Sequence, residues 1–211
     1  MALEQQKFDL IASAKTQLSN QNRGWSQRIR EGALSRLSNI GLPNHRDEYW
    51  KYTNPAELLT EKLSHSSVAG LEEANVFSEI DTLKIVFCDG VFSSELSDDL
   101  TSENIEISRL ADVGDLHWAQ NYYGVLEEKG QNPVNRPLAA YNTAVASDGA
   151  LINIKGEVKR PILILGVHNN PAEAVLHHLI KVDKDCSITV SYTHLRAHET
   201  EADLVCRLLL E

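Results

Sequence analysis

The chain has 211 residues, with 20 Lys+Arg against 30 Asp+Glu and a net charge of −10. An acidic chain without basic clusters argues against nucleic acid or an anionic membrane as partner. No apolar run approaches the ~18 residues a membrane span needs, and the start, MALEQQKFDL, lacks the layout of a secretion signal.

Residues 1 to about 65 read as helical. Phe8, Ile11, Ala12 and Leu18 form an apolar stripe broken by Lys15, and Trp25, Ile29, Ala33, Leu37 and Ile40 repeat the spacing in a second helix. Gly41 supplies a left-handed stop, with Leu42 placed to touch back and Pro43 preventing continuation. A third short helix is expected from Asn54-Pro55, a cap residue followed by proline at the first helical position.

The stretch from about 70 to 130 is mixed. Leu83, Ile85 and Phe87 alternate with Lys84, Val86 and Cys88 as a strand, and Asp89-Gly90 turns tightly into Val91-Phe92. Ile105 and Ile107 mark a second alternating run. Leu116, Ala119, Tyr123 and Leu126 fit one helix ended by Gly130, on which His117 and Trp118 read as packing or surface residues. Cys88 reads as a small buried hydrophobe. With Cys186 it makes two cysteines before residue 190, without C-x-x-C spacing, which suggests a reducing cytoplasm.

Asn135 is a cap candidate for an Ala-rich helix from Pro137 to about Ala146, broken by Asp148-Gly149. Short β segments follow at Leu151–Ile154, Pro161–Val167, Val175–Val182 and Cys186–Thr189, with turn signals between them. Such strands suit a solenoid-like sheet, and equally a sandwich or a barrel. Cys186 could serve as a thiol ligand, but its strand position favours packing. Adjacent His177 and His178 point to opposite faces of a strand and cannot easily grip one metal, and His168 reads as a turn residue. Asp148-Gly149 beside Asn142 lacks the alternating acidic ligands of a cation loop. No phosphate loop, nucleophile elbow or H-E-x-x-H is present. No catalytic, cofactor-binding or metal residue is therefore assigned.

The segment Gly41 to Thr53, GLPNHRDEYWKYT, packs charged pairs around Tyr49, Trp50 and Tyr52. By composition it is an aromatic anchor holding an N-terminal element to a core. The string also resembles the N-terminal signature of the SufD branch of the SufB/SufD family, scaffolds of the SUF iron–sulfur cluster assembly system. Three further stretches support the likeness in the same order: LKIVFCDGVF (83–92), RPLAAYNTAVASDG (136–149) and VLHHLIKVD (175–183). The resemblance spans about residues 5 to 189, and none of its motifs is catalytic.

The resemblance implies an α+β fold, in which an N-terminal helical segment and small mixed domain (1–135) lead into the first rungs of a right-handed parallel β-helix (136–189), truncated. It implies a cytoplasmic, non-enzymatic scaffold that partners a SufB-like paralogue and a SufC-like ATPase. The iron–sulfur cluster would belong to the assembled complex, with no cofactor held by this piece. In that family the SufB–SufD interface, the ATPase docking helices and the cluster-associated histidine lie in the later part, beyond Thr189.

Val190 to Glu211 reads differently. Back-translated, SYTHLRAHET and LVCRLLLE match the two blocks of a sequencing-library adapter in one continuous frame, so this tail is expected to be non-native. Leaving out its two arginines and four acids, Met1 to Thr189 carries a net charge of −8. The tail holds a tempting false site: His194 and His198 four apart, with Glu199, Asp203 and Cys206 near, the spacing with which a helix presents two imidazoles to zinc. No metal is assigned there.

A competing function is a β-helix enzyme acting on carbohydrate. It would need two converging carboxylates, and Glu157, Glu173, Asp183 and Asp185 all fall at turns. A solenoid with one or two rungs would also leave an open apolar edge after its last strand.

Overall fold

The computed structural model describes residues 2–19, 24–43, 50, 79–101, 103–115, 117–167 and 174–189. The expected helix at Asn54-Pro55, Tyr49 and Tyr52, His168, Glu173 and the whole tail with His194, His198, Glu199, Asp203 and Cys206 lie outside them. The architecture is α+β, with helices followed by small sheets, and the chain divides into two units with a boundary between Ala146 and Ser147.

The first unit is helical. Helix α1 (Ala2–Ser19) buries Ala14 and Leu18, four apart on one face, while Lys15 is exposed. Helix α2 (Gln27–Ile40) buries Ala33 and Leu37 as expected, and also Arg30. It stops at Gly41, whose N–H donates to the Leu37 carbonyl at 2.8 Å. The φ of 76° is positive as foreseen, but the ψ of −173° places it in the mirror-extended region rather than the left-handed helix, a conformation essentially reserved for glycine. Trp50 is buried, as an anchoring residue should be.

The single helix expected from Leu116 to Gly130 is instead two pieces, a 3-10 turn at Trp118–Asn121 and helix α3 (Val125–Gly130). Gly124 breaks it, with φ at 74°, and a β-carbon there would stand 2.7 Å from Ile29 Cγ2. The break turns Tyr123 into the unit, where its hydroxyl donates to the Thr143 carbonyl at 2.7 Å and its ring meets Trp25 edge-on. His117 caps the 3-10 turn by accepting the Ala119 N–H on Nδ1, a role beyond simple packing.

Helix α4 (Pro137–Val145) begins with proline at its first position, whose missing N–H costs nothing there. Its N-cap is Arg136 rather than Asn135, and no side chain caps it. Seven of its nine residues are buried, which small Ala139, Ala140 and Ala144 permit.

The second unit stacks two three-stranded sheets. Strand β1 (Leu83–Cys88) turns through Asp89 and Gly90, both with positive φ, into β2 (Val91–Phe92), and Cys88 faces Val91 across the two-residue loop. Strand β3 (Ile105–Arg109) runs antiparallel to β4 (Ala150–Ile154). Strand β5 (Ile162–Val167) pairs parallel with β1, and β6 (Leu179–Val182) pairs parallel with β4. The sheet orders are β2-β1-β5 and β3-β4-β6, with β5 and β6 as edges.

Between the sheets lie Leu83, Ile85 and Phe87 from β1, Ile105 from β3, and Ala150, Ile152 and Ile154 from β4. Val86 is fully buried on the other face of β1, against Leu165 and Val167, so β1 is apolar on both sides. β6 is shorter than the expected Val175–Val182, being preceded by an isolated bridge between Asp148 and Leu176. Cys186–Thr189 forms no strand. Cys186 and Ile188 pack against the inter-sheet core from irregular backbone. Leu151 and Leu179 are paired neighbours 28 residues apart, with β5 in the opposite sheet between them in sequence. That amounts to one coil of parallel stacking, and a right-handed parallel β-helix is not shown by these two small sheets.

Candidate functional site

Among the described residues, no group of three or more His, Cys, Asp or Glu side chains is placed to hold a metal ion. Cys88 and Cys186 are free, half-buried thiols that pack in two different apolar clusters. Glu157 and Asp185 are exposed at turns, and Asp183 is paired with Lys181. No two of these carboxylates are brought to a common partner, which leaves the carbohydrate-enzyme alternative without support.

Buried polar chemistry concentrates at two places, one in each unit. In the helical unit, Arg30 is almost fully enclosed. Its Nε donates to Ser26 Oγ at 2.9 Å and its Nη1 to the carbonyls of Ala146 at 2.8 Å and Ala144 at 3.3 Å. The guanidinium also lies 5.0 Å from the Tyr123 ring centre. A cation at the carbonyl end of α4 meets the negative pole of that helix. In the same unit, Glu127 of α3 is buried and held by Arg36 and by Gln131 Nε2 at 2.7 Å, and the Glu127 hydrogen bond holds the Arg36 guanidinium above its ordinary value. These are fastenings between helices and carry no reactive geometry.

In the sheet unit the polar centre is Asp148, which the sequence had offered as a helix breaker and as part of a rejected cation loop. Its Oδ2 accepts from Arg109 Nη2 at 2.6 Å and Nε at 3.1 Å, two charge-assisted hydrogen bonds converging on one oxygen. Its Oδ1 accepts the N–H groups of Gly149 at 2.8 Å and Ala111 at 3.3 Å. Both oxygens are thus committed, and the cation loop considered with Asn142 has none to offer.

Arg109 continues to Asp112 at 3.1 Å and lies 4.8 Å from the centre of the Phe92 ring. Phe92 meets Phe87 edge-on at 6.0 Å, and Phe87 faces the His178 imidazole at 5.4 Å. A chain of contacts therefore runs from Asp148 through Arg109, Phe92 and Phe87 to His178.

His177 and His178 are separated in role. The His177 N–H donates to the Asp148 carbonyl at 3.0 Å, and the His177 carbonyl sits against Gly149. His178 Nδ1 accepts the Ala150 N–H at 2.9 Å. Burial pushes the His178 imidazole down to about 4, with the Asp148 charge pulling the other way. With Nδ1 engaged as acceptor, the proton of the neutral ring sits on Nε2, a donor rather than a metal-binding lone pair. Sequence reasoning missed Arg109 and Arg30. The local signals were an arginine at the end of an alternating strand for Arg109 and an arginine within the apolar spacing of a helix for Arg30.

Among the described residues, these polar groups are bonded to one another and to the backbone. A sequence model of the SufBD protein N-terminal region matches residues 1–164. The chain belongs to the SufBD family, as a counterpart of that N-terminal region. An iron–sulfur cluster assembly SufBD family protein of Synechocystis sp. is 27% identical over 176 residues, covering 78% of this chain and 38% of that relative. The chain thus spans well under half the length of the curated relative it matches. No helix among the described residues is long and apolar enough to cross a membrane.

Proposed function

We propose that the chain is the N-terminal part of a SufD-type scaffold subunit for iron–sulfur cluster assembly, cytoplasmic and non-enzymatic. The single observation that carries this reading is the match of residues 1–164 to the SufBD N-terminal region. The relative's printed role in iron–sulfur cluster assembly supports the direction. The SufD branch is supported by the GLPNHRDEYWKYT string at Gly41 to Thr53.

In this proposal the segment supplies architecture. Strands β1 and β3 cover the first coil of a parallel β-helix, and β5 and β6 present the edges on which later rungs stack. The parallel offset of 28 residues from Leu151 to Leu179 supports such stacking. Partner binding, to a SufB-like paralogue and a SufC-like ATPase, and the cluster itself are assigned to the remainder of the full-length protein.

Affinity purification of the tagged full-length protein from its source tests the reading. The expected result is co-purification of an ATPase and a paralogous SufB-like chain, with no glycoside hydrolysis. Hydrolysis by a preparation that contains neither partner would overturn it.

A further inference from the structure

We infer that His178 is an acid-sensitive clasp that fastens β6 to β4: the neutral imidazole accepts the Ala150 N–H, and a second proton on the ring releases β6 while β1, β2 and β5 stay paired. The inference stands apart from the assembly role proposed above and concerns how the first parallel coil is closed.

The clasp sits where two chain segments enter the same sheet. Ser147 N–H donates to the Val175 carbonyl at 3.1 Å, His177 N–H to the Asp148 carbonyl at 3.0 Å, and Asp148 bridges Leu176. Those ties are backbone and do not titrate. The Ala150 N–H to His178 Nδ1 bond, at 2.9 Å, is a tie that titrates in the acid range, which the Lys181 Nζ bond to Asn153 Oδ1 does not. A neutral imidazole offers one acceptor and one donor, whereas an imidazolium offers two donors. Protonation would set two N–H groups against each other and strip the buried Ala150 amide of its acceptor, a loss that backbone groups in a core rarely tolerate.

The neighbourhood favours the neutral ring. From β1, Phe87 faces the imidazole with an apolar surface. From the segment before β4, the Asp148 carboxylate favours the charged form, but Arg109 of β3 occupies it and pairs with Asp112 as well. On the strand that His178 leads into, Lys181 is paired with Asp183. Burial outweighs Asp148, lowering the imidazole from 6.5 to about 4. Released, the same ring returns towards 6.5. The closed coil is therefore fully favoured above pH 6.5 and loses ground as the pH falls from there to about 4.

Amide exchange on the whole chain between pH 7 and 4, corrected for intrinsic rates, tests the clasp. Protection at Ala150 and Leu179–Val182 should fall by about 100-fold across that interval, the change set by 6.5 against about 4, while Leu83–Cys88 keeps its protection. In His178→Gln, whose side-chain oxygen accepts without titrating, the profile should be flat. Unchanged protection of β6 in the unaltered protein, or an equal fall in His178→Gln, would overturn the inference. Nitrogen NMR of the unaltered imidazole decides the matter if that variant does not fold. A proton on Nε2 at pH 7 and a midpoint well below 6.5 support the clasp, and titration near 6.5 with β6 intact defeats it.

Discussion

Gly149 lies beneath the His177 carbonyl so closely that a β-carbon at residue 149 would stand 1.9 Å from that oxygen. No rotamer change can relieve a contact between two backbones. The approach is what lets Asp148 and Ala150, on either side of the glycine, bond to His177 and His178. Gly149→Ala should therefore part the two segments, at a cost above about 3 kcal/mol. Urea unfolding monitored on the sheet unit checks this, and a loss below about 1 kcal/mol would contradict the geometry.

Asp148→Asn removes the charge that Arg109 grips and puts an amide nitrogen, which cannot accept, at one of the two oxygen positions that serve Arg109 and the Gly149 and Ala111 N–H groups. Arg109 keeps Asp112 and some exposure to water, so the expected loss is about 1–3 kcal/mol rather than that of a stranded buried cation. The same substitution removes the one charge that favours the His178 imidazolium. The His178 midpoint should move further down, and an NMR titration showing it rise would refute the placement.

Arg30→Met keeps the length and apolar stem but takes the donors away from the Ala144 and Ala146 carbonyls. A loss of about 2–3 kcal/mol is expected, read by thermal unfolding of the helical unit. Arg30→Lys should recover only part of it, because a single ammonium cannot reproduce the planar fork or the stacking on Tyr123.

Gly124→Ala adds a β-carbon 2.7 Å from Ile29 Cγ2 at a φ of 74°, combining backbone strain with a clash. A cost of about 2 kcal/mol or more is predicted. Tyr123 fluorescence should report it, since that ring is positioned by the break.

Much of the local structure was legible in residue order. The alternation of Leu83, Ile85 and Phe87, the Asp89-Gly90 hairpin and the Gly41 stop depend on neighbours a few positions away, and the structure carries all three. The Leu116–Gly130 helix misled because its apolar spacing continues across Gly124, while the reason for the break, Ile29, lies far away in the sequence. The polar centres were hidden for the same cause. Arg109 and Asp148 are 39 positions apart, and Arg30 reaches a carbonyl 116 positions away.

The residues in order determined the Gln27–Ile40 helix, the Leu83–Cys88 strand with its tight turn, and the family to which the chain belongs. Periodicity and turn chemistry are short-range properties, written within one or two turns of backbone. Tertiary structure alone decided that β5 and β6 pair in parallel with β1 and β4, that Asp148 becomes a buried hub, and that two adjacent histidines take different tasks. Those outcomes depend on which distant segments stack face to face, because burial sets the value of each polar contact, and no window of neighbouring residues contains that information.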